Sequence, residues 1–283
     1  MIPRTTHSRS QLECHLNEYD DGAISLFVSC DTYPGLFDYH CPQISKLAPN
    51  GWRVSKGGKM KYLWFPAGAL NQASLEQIET WRQRFQEYVL IGLSRHIAPG
   101  FSQELDFCMG LSFNYDPNSE RRTLFGEALY QAKYRQSQAY CSVVSRAMVE
   151  AFDYLPVPPE EKTNLRITAV PSDPEKYNFG RDLAMRIAKD KGVPLVQSSL
   201  CCGKSYLKNL PFVEKMKHWC ELYERGQCVR IDADIRGRTV AVVDDLYQSG
   251  VTLWCCAKFL KKAGAKYVFG LVCVKSIRDT DNQ

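Results

Sequence analysis

The run Thr239–Thr252, TVAVVDDLYQSGVT, constrains this chain more than any other stretch. Val240, Ala241, Val242 and Val243 lead into two adjacent carboxylates, Asp244 and Asp245. After Leu246, Tyr247 and Gln248, the small polar set Ser249-Gly250-Val251-Thr252 opens an apolar segment of helical length. A continuous, β-branched run of this kind reads as a strand buried on both faces. Such strands carry ligands outside their carboxyl ends, where the two aspartates fall. The Ser/Gly/Thr turn brings backbone N–H groups and hydroxyls to a helix N-terminus, which favours phosphate. Carboxylates beside a phosphate cradle suit a ligand with vicinal hydroxyls and a phosphate, as in a ribose 5-phosphate. The structural alternative is that the aspartates end a strand while Ser249 or Thr252 only caps a helix.

The string Asp-Asp-x-x-x-Ser-Gly-x-Thr after an apolar strand resembles the phosphoribosyl pyrophosphate (PRPP) motif of type I phosphoribosyltransferases. Within that superfamily the chain looks most like the ComF-type branch. Ala132-Lys133-Tyr134-Arg135 resembles the Lys-Tyr of ComF-type chains, and Asn178-Phe179-Gly180-Arg181 resembles, in rearranged order, their Arg-Gly-Phe-Asn element. The resemblance covers roughly residues 120–275 and leaves residues 1–115 without a family. ComF-type proteins commonly carry an N-terminal four-cysteine zinc module, from which this chain departs.

With 45% hydrophobic and 24% charged residues, the 283-residue chain has an ordinary globular composition, enough for one large domain or two smaller ones. The net charge of +5 suits a polyanionic small molecule but falls short of a dedicated nucleic-acid surface. No apolar run approaches the ~20 residues that span a bilayer. The opening MIPRTTHSRS lacks the apolar stretch of a signal peptide, so a cytoplasmic location is expected. Twelve cysteines include two vicinal pairs, Cys201-Cys202 and Cys255-Cys256, and no C-x-x-C. Reduced, mostly buried thiols follow. Cys14, His15, Cys30, His40 and Cys41 form a candidate metal set whose irregular spacing fits no zinc pattern well.

The C-terminal part alternates strand and helix: a strand at 165–170, a helix at 179–190, short strands at 194–197 and 228–233, the strand at 239–243, a helix at 253–263 and a strand at 266–274. This order implies parallel pairing. The expected fold is α/β, a doubly wound parallel sheet of phosphoribosyltransferase type over 116–283, with a smaller α+β domain over 1–115. In that smaller domain 23–29 reads as a strand. Ser74–Gln77 reads as a capping box that opens a helix reaching His96. Asp116–Ser119 marks the boundary, and a single helix spans 124–152.

The resemblance assigns roles. Gln248, Ser249, Gly250, Val251 and Thr252 hold the 5-phosphate, with Gly250 letting the backbone approach. Asp244 and Asp245 serve as the catalytic pair, accepting from the ribose hydroxyls and ordering Mg²⁺ with the substrate. Pyrophosphate falls to Pro171, Ser172 and Arg181, and to Lys204 and Lys208 of a mobile lid over 198–227, where Arg225 is a further candidate. Arg181 reads equally well as a solvated helix residue. Gly203-Lys204-Ser205 also suggests the end of a Walker motif, but its first glycine falls on Ser198 and no strand feeds a helix there. Hypoxanthine-guanine-type enzymes have an aspartate where this chain has Gln248, which is no general base, so that purine chemistry is not expected.

The implied activity is transfer from PRPP with Mg²⁺ to an unidentified acceptor. The alternative is a non-catalytic ribose-phosphate sensor or DNA-linked accessory protein. No membrane partner is expected, and a homodimer and a nucleic-acid partner stay open.

Overall fold

The computed structural model describes residues 12–29, 32–91, 104–119, 121–173, 175–200, 210–224 and 229–277. The chain divides into two compact units, Met1–Gly92 and Leu93–Gln283.

The first unit runs β1 (Cys14–Glu18), β2 (Ile24–Ser29), α1 (Thr32–His40), α2 (Pro42–Ser45), β3 (Arg53–Val54), β4 (Met60–Phe65), α3 (Gln72–Gln86) and β5 (Val89–Leu90). β1, β2, β4 and β3 form an antiparallel sheet in that order. Side chains alternate between its faces, and Leu26, Val28, Leu63 and Phe65 are fully buried. Phe37 of α1 meets Trp81 of α3 edge to face, with centroids 5.0 Å apart, a preferred aromatic geometry. The cap of α3 differs from the expected box. Asn71 Oδ1 accepts from the Ser74 amide at 2.8 Å, so Ser74 lies inside the first turn. The helix ends at Gln86 instead of reaching His96.

The second unit continues with β6 (Phe107–Phe113), α4 (Leu124–Tyr134), α5 (Gln138–Phe152), β7 (Leu165–Ala169), α6 (Phe179–Lys191), β8 (Ser198–Leu200), α7 (Phe212–Glu224), β9 (Val229–Ile231), β10 (Thr239–Tyr247), α8 (Val251–Lys262) and β11 (Tyr267–Lys275). β6, β11, β10 and β7 pair in parallel in that order, giving the α/β sheet that the strand–helix alternation implied. Val240 to Val243 are fully buried at its centre. Phe107–Phe113 precedes the turn at Asp116, yet it hydrogen-bonds along β11 and so belongs to this unit. Its nearly continuous burial, from Phe107 to Phe113, is that of an inner parallel strand.

Two expected elements take another form. The helix foreseen over 124–152 is broken into α4 and α5 at Arg135–Ser137, where Gln136 adopts a positive φ of 52°. The stretch 198–227, read as a lid, contains α7. Met216, Trp219, Leu222 and Tyr223 fall at helical spacing, are buried, and face α8, against which α7 packs. β8 pairs antiparallel with β9 beside it. Lys204, Lys208 and Arg225 lie outside the described residues.

Candidate functional site

The site follows from how two neighbouring strands lead into their helices. β7 and β10 pair side by side, with Ile167 opposite Ala241. From β7 the chain passes through α6 to Leu195, which bridges Ile167 in parallel on the edge away from β10. From β10 it passes through α8 to β11, on the other side. Right-handed crossovers in opposite directions put α6 and α8 on opposite faces of the sheet. A crevice therefore opens between the carboxyl ends of β7 and β10, the switch point at which open α/β sheets bind ligands.

Asp244 and Asp245 lie at this crevice, near the carboxyl end of β10, and both are partly exposed. Asp244 Oδ1 accepts from the Asp245 amide at 2.9 Å. The Asp245 carboxylate forms an ion pair with Lys133 of α4, whose side chain is 31% exposed against 13% for Asp245. Burial works to lower the Lys133 ammonium pKa, but Asp245, with Asp244 adding to it, more than offsets that and raises it above its ordinary value. Beneath the pair, Cys108, Cys256 and Cys273 are fully buried. Burial pushes all three thiols up, Cys256 to about 12, and the Asp244 charge adds to the rise. Such raised, buried thiols are kept in the neutral form near pH 7.

The opposite lip is the loop after β7. The Val170 amide donates to Val243 O at 3.0 Å, which ties the loop to β10 one residue before Asp244. Pro171 and Ser172 are buried beyond it. Arg181, near the start of α6, donates through Nη2 to Ser172 Oγ at 2.7 Å and to Asp173 O at 3.0 Å. It is thus no freely solvated helix residue, because its guanidinium spans this loop. Asn178 caps α6, accepting from the Arg181 amide at 2.8 Å. A Cβ at Gly180 would lie 3.5 Å from Asp244 Cα and 3.2 Å from Asn178 Oδ1, so the glycine lets α6 approach the carboxylate closely.

The third wall is the turn 248–252. Gln248 and Thr252 are half-buried, Ser249, Gly250 and Val251 buried. Gly250 is the N-cap of α8, so the cap residue offers no side chain to the first-turn N–H groups. Gly250 has φ 79°, and a Cβ there would sit 2.3 Å from Tyr247 Oη and 2.5 Å from Tyr247 Cζ. The turn thus requires glycine for its own geometry, beyond the close phosphate approach read from the sequence.

Asp244, Asp245, Ser172, Arg181 and the 248–252 turn all fall at the carboxyl ends of β7 and β10. Lys133 and Gly180 were not read as site residues from the sequence. Lys133 sits in the Lys-Tyr element, and Gly180 directly follows a cap residue and Phe179, so both carried a signal.

No protein-family model and no curated protein matches the chain. Among solved structures it is similar to a purine phosphoribosyltransferase from Pyrococcus horikoshii Ot3, at 18% identity and TM-score 0.30, over 49% of this chain and 83% of that one. A hypoxanthine phosphoribosyltransferase from Staphylococcus aureus matches at 15% identity and TM-score 0.28, over 53% and 64% of the two chains. An adenine phosphoribosyltransferase from Thermoanaerobacter pseudethanolicus matches at 16% identity and TM-score 0.31, over 50% and 83%.

Proposed function

We propose that the second unit is a type I phosphoribosyltransferase domain of ComF-like kind that binds PRPP with Mg²⁺ and transfers its phosphoribosyl group. The carrying observation is the crevice at the β7/β10 switch point, with two carboxylates on one wall and the α8 N-terminus on the next. Ligands in doubly wound sheets bind at such points, and the amides of a helix start suit a 5-phosphate. Asp244 and Asp245 accept from the ribose hydroxyls, while Ser172 and Arg181 lie on the lip where pyrophosphate leaves. The Arg181 fork suits a polyphosphate.

Mg²⁺ binds through a few carboxylates and substrate phosphates, and two adjacent, partly exposed aspartates fit that requirement. Bound by Asp244 and Asp245, the ion would neutralise pyrophosphate charge. The chain would supply orientation and dry walls, since Val243, Ser172 and Ser249 are all buried. As the C1–O bond to pyrophosphate breaks, a bond from C1 to the acceptor forms, and the acceptor's proton passes to the departing pyrophosphate, which leaves carrying the C1–O electron pair. Gln248 does not take that proton, since a carboxamide is no base. An acceptor that needs a base at this position is therefore not the substrate.

Among the described residues, no helix is long and apolar enough to cross a membrane. The test is pyrophosphate release from PRPP with Mg²⁺ over a panel of nitrogen and oxygen acceptors. Release that depends on one acceptor supports transfer. Saturable PRPP binding without release under any acceptor supports the sensor reading instead, and no PRPP binding overturns both.

A further inference from the structure

The first unit carries a groove of about 640 Å³ on the exposed face of its antiparallel sheet, lined by rings, cations and hydrogen-bonding groups. The register builds it. His15 lies opposite Phe27, Phe27 opposite Tyr62, and Tyr62 opposite Arg53, so these four residues cross four strands on one face. His15 and Phe27 stack at 5.1 Å with an 11° interplanar angle, and Phe27 and Tyr62 at 5.2 Å and 27°. One step along the strands, Ser25 lies opposite Trp64 on the same face. Phe27, Tyr62 and Trp64 are only part-buried, whereas Leu26 and Leu63 on the other face are fully buried.

The groove has two chemically different ends. Arg53 and Lys56 line it where β3 turns toward β4, and Lys59 is exposed in the same hairpin. Tyr19, Asp21 and Asn50 also line it. At its floor Ser25 is fully buried, and its hydroxyl has no hydrogen-bond partner among the described residues. A buried hydroxyl without a partner costs free energy unless something meets it, and this one lies under the groove.

We propose that this sheet face binds a single-stranded nucleic acid segment. Its bases extend the His15–Phe27–Tyr62 stack, its phosphates lie along Arg53, Lys56 and Lys59, and a base edge reaches Ser25. Aromatic stacking on a sheet with a flanking cationic track is the physical basis of single-strand binding. Three cations in one hairpin exceed what one mononucleotide phosphate requires, which favours a strand over a free nucleotide. The inference concerns the first unit only and is independent of the PRPP reading.

The experiment measures anisotropy of a fluorescein-labelled eight-residue oligouridylate or oligothymidylate with the full chain. The expected result is saturable binding that weakens with salt and is not displaced by equal concentrations of uridine monophosphate. Tyr62→Ala should weaken it by about ten-fold, the scale of one lost base stack. Arg53→Gln with Lys56→Gln, both at exposed positions, should weaken it and flatten its salt dependence without changing the melting temperature. Asp244→Asn with Asp245→Asn should leave it unchanged. The proposal is overturned by absence of oligonucleotide binding, by complete displacement with the mononucleotide, by binding of an acidic peptide or oligosaccharide instead, or by loss of binding only in the aspartate variant.

Discussion

Lys133, near the end of α4, closes an ion pair with Asp245, near the carboxyl end of β10, and so joins a helix to the carboxyl edge of the sheet. The pair is partly buried, which places its worth between the small value of exposed pairs and the larger cost of stranding a buried charge. Lys133→Met should lower stability by about 1–3 kcal/mol. Asp245→Asn in that background should cost much less than it does alone. A double-mutant cycle by urea unfolding measures this coupling, and additive effects would show that the two groups do not interact.

Gly250 supports a second expectation. Its φ of 79° disfavours any side chain, and a Cβ would collide with the Tyr247 ring. Gly250→Ala should therefore lower the melting temperature, by a cost of at least about 1 kcal/mol from the left-handed backbone alone. An unchanged melting temperature would mean that the turn relaxes freely. Loss of ligand binding in a Gly250 variant is thus no separate proof of phosphate contact.

The segment 212–224 is the helix α7, packed on α8. Trp219 is 3% exposed on the face of α7 that packs on α8, and Trp219→Ala should cost about 3–5 kcal/mol. Amide exchange through 216–223 should be slow without ligand. Fast exchange there would restore the reading of this segment as a mobile cover.

The buried thiols give a pH dependence. Burial holds Cys14 and Cys256 up to about 12 and Cys41 up to about 11, against an ordinary 9.0. The unfolded chain releases these protons first, so their stabilising contribution is complete below pH 9 and is lost as pH rises toward 11–12. Urea midpoints should fall between pH 9 and 11, and Cys256→Ala should fall less steeply than the parent. Equal slopes would show that Cys256 ionises normally in the folded chain.

The parallel sheet was legible because Val240–Val243 is a continuous apolar run, while Leu165, Ile167 and Ala169 place apolar residues at every second position of β7. The α6 stop was legible from Gly192, which is left-handed with φ 64°. The break at Gln136 was not, since glutamine gives no sign that its φ will be positive. α7 was obscured by Gly203, Lys208 and Pro211 just ahead of it, although Met216, Trp219, Leu222 and Tyr223 already show the helical period. At the site, adjacency in sequence exposed Asp244, Asp245 and the 248–252 turn. The contacts of Lys133 with Asp245 and of Arg181 with Ser172 join separate elements, and no spacing encodes them.

The most direct test of the account is calorimetric titration of the full chain with PRPP and Mg²⁺. The parent protein should bind with a stoichiometry near one per chain. Asp244→Asn with Asp245→Asn should keep the fold by circular dichroism and lose at least about ten-fold in affinity, as expected where each charge-assisted hydrogen bond contributes ~1.5–3 kcal/mol. Equal PRPP affinity in the folded double variant would contradict the assignment of the β10 carboxylates to the ribose.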